Sequence, residues 1–182
     1  MNFYLSLLRG INVSGQKLLS MASLQTCYEQ IGLKEVNTYI QTGNVYFTDP
    51  AARTPEVLNS EIEAELFKTY HFTVQSLLIS ADMLKTIVAQ NPYAPEHDKK
   101  ELYCTFLWRM PTEDALHELV IPEVTDSYAL GEQVLYIHCP TGYGKTKFNN
   151  NFIEKKLKTT ATTRNWNTVE TLLKLIENKT NH

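Results

Sequence analysis

An arginine, a glycine and an asparagine close a short apolar run in Leu7-Leu8-Arg9-Gly10-Ile11-Asn12-Val13-Ser14-Gly15. Arginine carries a planar fork of donors that matches a carboxylate or a phosphate. Where a strand runs into a glycine turn, that fork is presented beside backbone N–H groups, and Lys17 follows closely. The alternative is an ion pair tying the strand end to another part of the fold. Asn12 and Asn44 flank turns, and such asparagines bond to nearby backbone by default. They therefore serve either a ligand or the turns themselves.

A second phosphate-like stretch is Thr141-Gly142-Tyr143-Gly144-Lys145-Thr146. It falls between an expected strand and an expected helix. A phosphate loop needs G-x-x-x-x-G-K-[ST], and Cys139 occupies the position of the first glycine. What remains is a helix N-terminus beside Lys145 that could hold an anion, or a connecting turn. Cys139 is the one thiol near this polar loop, but a nucleophile also requires a base and an activating environment. The histidines at 71, 97, 117, 138 and 182 show no metal-ligand spacing and no C-x-x-C occurs, so neither a metal nor a cofactor is expected. Tyr4, Tyr39 and Tyr46 sit on expected strands and could stack bases if they shared an open face. The missing basic-aromatic string and the acidic balance of this half favour a buried face.

These residues need elements to hold them. Asn2–Leu8 is apolar on both faces, which suits a central strand. Ser20 caps a helix over 21–31 that ends at Gly32. Strands over 36–41 and 44–47 flank a Thr42-Gly43 hairpin turn. Thr54-Pro55 opens a long helix with Leu58, Ile62, Leu66 and Tyr70 on one face. A strand over 73–79 completes strand, helix, strand, strand, helix, strand, the ferredoxin-like βαββαβ arrangement. A short helix over 80–90 follows. The second half reads as a strand over 102–108, a helix from Pro111-Thr112 to about 119, a hairpin over 127–138 turning at Gly131-Glu132, a helix from the glycine loop to 157, and a last helix whose Asn167-Thr168-Val169-Glu170 has capping-box spacing. The expected class is α+β: a ferredoxin-like part over 1–80 and a smaller α/β part over 81–182 packed on it. No internal repeat is visible.

A hydrophobic content of 43% supports a real core. No apolar run approaches the roughly 18 residues of a membrane span, and the start lacks a basic n-region before an apolar h-region. Three widely spaced cysteines argue against a disulfide framework and for a reducing cytoplasm. The net charge of −3 hides an asymmetry, since residues 145–182 hold eight basic and three acidic side chains. That surface fits an anionic partner or a solvated helix face.

Three segments carry a resemblance. Leu7–Gly15, Thr38-Tyr39-Ile40-Gln41-Thr42-Gly43-Asn44-Val45 and Ala161-Thr162-Thr163-Arg164-Asn165-Trp166-Asn167-Thr168-Val169 resemble the LLRGINVGG, TYIQSGNVVF and ATTRNWNTV signatures of a bacterial family, domain of unknown function 1697. Ser14 stands where the family usually has glycine, and Thr42 where it often has serine. The resemblance implies a bacterial cytosolic protein with a ferredoxin-like first half. It supplies no activity, substrate or catalytic set, and it directs attention to Arg9, Asn12, Gln41, Asn44, Arg164, Asn165 and Trp166. The leading expectation is a cleft between the halves that binds a small anionic ligand, phosphate or nucleotide-like. Arg9 and Arg164 would supply charge, with Lys17 and Lys145 beside them. Asn12, Gln41, Asn44 and Asn165 would supply hydrogen bonds, and Trp166 a stacking wall. The alternatives are RNA or single-stranded DNA binding on the basic C-terminal surface, and an interaction module without a ligand whose motif residues form a buried polar network. No reaction follows, because nothing in the sequence fixes which carboxylates converge.

Overall fold

The computed structural model describes residues 3–13, 15, 17–121 and 125–180. Asn2, Ser14 and His182 lie outside the described residues. The chain divides into two compact units, Met1–Leu84 with Lys174–His182, and Lys85–Leu173.

The first unit runs β1 (Phe3–Arg9), α1 (Met21–Gln30), β2 (Lys34–Tyr39), β3 (Asn44–Thr48), α2 (Pro55–Tyr70) and β4 (Gln75–Ser80). Its strands form one antiparallel sheet in the order β2-β3-β1-β4. The expected caps form: Ser20 Oγ accepts from Ser23 N at 3.1 Å, and Thr54 Oγ1 accepts from Val57 N with Pro55 in the first turn. Both helices pack on one sheet face, where Leu24, Cys27 and Tyr28 of α1 and Leu58, Ile62 and Leu66 of α2 meet Leu8, Val45 and Phe47. Strand alternation sends Leu5, Leu7, Asn44 and Tyr46 to the other face, and all four are buried too. Tyr4 stacks on Phe47 at 6.1 Å on the helix side. Tyr39 and Tyr46 point the opposite way, so the three tyrosines do not share a face.

One ion cluster brackets this unit. Asp49, just past β3, accepts from the Arg53 guanidinium at 2.7 Å and from the Arg53 backbone N–H at 2.7 Å. Arg53 also donates to the Ile31 carbonyl at the end of α1, at 3.0 Å, and to Glu61 of α2. The Arg53 hydrogen bond holds the Asp49 carboxyl below the usual carboxylate range against the opposing effect of burial.

The second unit opens within α3 (Ala81–Ala89). It continues through a 3-10 turn (Lys99–Glu101), β5 (Leu102–Leu107), α4 (Glu113–His117), β6 (Ser127–Gly131), β7 (Val134–His138), α5 (Asn150–Leu157), β8 (Ala161–Asn165) and α6 (Trp166–Thr180). From β5 to β8 the succession is again strand, helix, strand, strand, helix, strand. The sheet order, β6-β7-β5-β8, is antiparallel throughout and repeats that of the first unit. The repetition is one of topology without sequence similarity. Leu107, Leu135, Ile137 and Ala161 pack under Ala115 of α4 and Ile153 and Leu157 of α5. Among the described residues no helix is long and apolar enough to cross a membrane.

Asp49→Asn should destabilise the protein by about 3 kcal/mol at neutral pH, because it leaves a largely buried guanidinium without its main partner. A depressed carboxyl contributes stability above its unfolded-state pKa and loses it as pH falls through the folded one. The urea midpoint of the wild type should therefore drop in acid, and the variant should show a flatter acid limb.

Candidate functional site

The first two signature segments meet at one end of the first sheet. Asn12 sits in the left-handed region at φ +52°, which asparagine tolerates better than most residues. Its side-chain N–H₂ donates to Leu19 O at 3.1 Å and to Gln41 O at 2.8 Å, and its Oδ1 accepts from Leu19 N at 2.8 Å. Its own N–H donates to Lys17 O at 3.2 Å. One side chain thus closes the loop after β1 and fastens it to the turn between β2 and β3.

That turn spans four residues, Ile40–Gly43, where the sequence suggests two. Asn44 Nδ2 spans it, donating to Tyr39 O at 2.9 Å and Thr42 Oγ1 at 3.0 Å. Serine or threonine at 42 supplies the acceptor equally well. Gly43 is obligatory: its φ is +81°, and a Cβ there would lie 2.7 Å from Leu8 Cβ and 2.9 Å from Ile11 Cδ1. Its carbonyl accepts from Leu8 N at 2.8 Å.

The cations are arranged differently. Arg9 ends β1, half-buried, opposite Gln75 in register and on the face away from the helices. It is itself engaged in the fold. Lys17 donates to Thr73 O at 2.7 Å and lies 5.8 Å from the Phe72 ring centre, on the helix side. Gln41 exposes its side chain and lends its carbonyl to Asn12.

The third signature forms β8 and the start of α6 in the second unit. Arg164 is 7% exposed and donates to Thr162 Oγ1 at 2.8 Å and Thr163 O at 2.9 Å. It shares the face away from α4 and α5 with its register partner Cys104, whose thiol is pushed far up by burial. Asn165 caps α6, its Oδ1 accepting from Thr168 N at 2.8 Å. The cap therefore lies two residues before the expected one at Asn167, and the helix begins at Trp166. Trp166 is 1% exposed, and its indole N–H has no hydrogen-bond partner among the described residues. It is a core residue here, with no face turned outward to stack on a ligand.

Lys145 is exposed in a turn, donating its backbone N–H to Gly142 O at 3.0 Å. Helix α5 starts only at Asn150, capped by Asn149. The Gly-Lys-Thr string is therefore not a helix N-terminus. Thr146 instead donates to Asp126 at 2.5 Å and accepts from Phe148 N at 2.9 Å. Cys139 is fully buried. Tyr143 of the same loop joins a hydroxyl network with Thr163 at 2.8 Å, Thr105 beyond it at 2.7 Å, and Asn150. Burial pushes the Tyr143 phenol up, partly offset by the Thr163 bond.

The structure also gathers a group that no local spacing announces. The His97 and His138 rings stack at 3.9 Å with Tyr93 beside both, and His138 Nε2 lies 3.1 Å from Glu101 Oε2. Near-parallel rings direct their nitrogen lone pairs into separate planes, which suits stacking rather than shared metal ligation. Among the described residues no group of three or more His, Cys, Asp or Glu side chains is set up to hold a metal.

Of the nine residues singled out in sequence, Asn12 and Asn44 brace the loop and turn that carry Lys17 and Gln41, with Arg9 at the end of the strand beside them; Arg164, Asn165 and Trp166 are consecutive in the second unit with separate partners, and Lys145 lies in a different loop of that unit. The profile described as "Protein of unknown function (DUF1697)" matches residues 1–136. The chain belongs to this family. The matched stretch contains the Arg9–Asn12 and Gln41–Asn44 cluster, and β8 lies beyond it. No curated protein matches the chain. Among solved structures, the conserved bacterial protein SP0830 from Streptococcus pneumoniae is similar with a TM-score of 0.78 at 21% identity, covering 95% of this chain and 97% of that one. That likeness shows a fold shared over nearly the whole length of both chains.

Asn12→Ala should cost about 2–3 kcal/mol through loss of two half-buried bonds and one exposed bond, with faster amide exchange at Leu19. Gly43→Ala should cost about 2–4 kcal/mol, from left-handed strain plus overpacking. Gly10→Ala, at φ +69° but with open space around its α-carbon, should cost only about 1 kcal/mol. Chemical denaturation of the three variants ranks them.

Proposed function

We propose that the protein binds a small anionic ligand, phosphate or nucleotide-like, and that Arg9 is its principal charged determinant. The supporting observation is the setting of Arg9. It is half-buried at the end of a central strand, next to a turn held by Asn12 and Asn44. Partial burial strengthens a cation's attraction for an anion relative to open water, and five guanidinium donors can serve the fold and a ligand together. On this reading Asn12 and Asn44 act by fixing the rim, while Gln41 and Lys17 lie on the same two loops with polar capacity to spare. The buried thiols at 27, 104 and 139, none of them in a disulfide, fit the cytosol of a bacterium.

A second reading rests on α5 and the segment before it, where Lys145, Lys147, Lys155 and Lys158 are exposed. Such a patch suits RNA or single-stranded DNA, whose binding would weaken steeply with salt. A third reading gives the signature network a purely structural task within an interaction module.

Calorimetric titration with inorganic phosphate, AMP and ATP tests the proposal. Saturable binding that Arg9→Gln weakens at least about tenfold, a loss of about 1.4 kcal/mol, with the melting temperature nearly unchanged, is the expected result. No binding by the wild type, together with a large loss of melting temperature in Arg9→Gln, would replace it with the structural reading.

A further inference from the structure

An edge strand presents a row of backbone N–H and C=O groups to any other chain. The two sheets have four such edges, and side chains guard three of them. On β2, Lys34 and Glu35 are charged and exposed, and the register shifts between Lys34 and Asn37. There Asn37 Nδ2 donates to Glu35 O at 2.7 Å and Gln25 Nε2 to Val36 O at 3.2 Å. On β4, Ser76 N donates to Glu63 Oε1 at 2.7 Å. On β8, Ala161 N donates to Glu154 Oε1 at 2.9 Å, and Arg164 Nη1 covers Thr163 O. The fourth edge is β6, Ser127-Tyr128-Ala129-Leu130-Gly131. It has no charge, no proline and an unbroken register with β7. No described side chain bonds to its backbone.

We propose that β6 is the surface on which a second copy of this chain docks, antiparallel and strand to strand, joining two four-stranded sheets into one of eight. The strand is self-complementary. A two-fold axis through Ala129 sets Ser127 against Gly131 and Tyr128 against Leu130, so an aromatic ring meets an aliphatic side chain and no like charges face each other. Because the other edges are guarded, pairing uses up the open edge of both copies, and the assembly closes as a dimer instead of growing into a filament. Five residues of strand make a small interface, so association is weak and concentration-dependent.

Sedimentation velocity of the full chain from micromolar to millimolar concentration tests this. The wild type should pass from monomer to dimer, with amide exchange slowed at Ser127–Gly131 in the dimer. Leu130, at 38% exposure, can become lysine without loss of fold, checked by an unchanged melting temperature, and Leu130→Lys should stay monomeric throughout. A wild type that is monomeric at millimolar concentration overturns the proposal. So does a dimer that survives Leu130→Lys, or exchange protection that appears on another strand and not on β6.

Discussion

Backbone polar groups need partners, and at the end of the first sheet where the first two signature segments meet, one asparagine side chain serves three of them. Asn12 adopts a left-handed backbone that few residues tolerate. In return, its amide reaches the backbone of Leu19 and of Gln41 together. Without it, the loop after β1 and the turn before β3 would be joined only by the packing of Ile11 on Gly43. With it they are one rigid rim. Asn44 performs the complementary task inside the turn, and Gly43 lets the turn lie flat on Leu8 and Ile11. The placement of Arg9 depends on this arrangement, since it leaves the sheet between the two fastened segments.

The same demand explains the third segment. Thr162, Thr163, Arg164 and Asn165 are polar residues on a short edge strand. Each finds a partner: Arg164 on Thr162 and the Thr163 carbonyl, Thr163 in the hydroxyl network, Asn165 on the first turn of α6. Signature residues of these types hold backbone in place in both units. The two units thus converge on one solution, a βαββαβ sheet whose polar strand ends are satisfied by a few specialised side chains.

Elements governed by local chemistry were legible in the sequence. Ser20, Thr54 and Thr112 cap helices because an N-cap bond spans only three residues. The apolar stripe of α2 fell on one face because its period is the helix's own. Strand β8 was not legible, since Ala161–Asn165 shows no apolar alternation; its burial comes from pairing with β5 and from side-chain hydrogen bonds. Missing it concealed the repeated topology. The start of α6 was misjudged by two residues because Asn165 and Asn167 both have cap chemistry, and only the end of β8 decides between them. The glycine loop looked like a helix start because Gly-Lys-Thr often is one. Here Asp126 and Phe148 claim Thr146 first. The residues of the candidate site were legible by identity but not by role, because an amide that can bind a ligand can equally bind backbone 29 positions away. The His97–His138 stack depends entirely on long-range folding.

The central claim is that Asn12 and Asn44 hold one and the same rim from opposite sides. A double-mutant cycle on the stability of Asn12→Ala, Asn44→Ala and the double variant tests it directly. If the rim is a single unit, the first substitution already releases much of what the second would. The double variant should then cost less than the sum of the singles by about 1 kcal/mol or more. Strict additivity would mean that the loop and the turn are held independently, and would contradict the account.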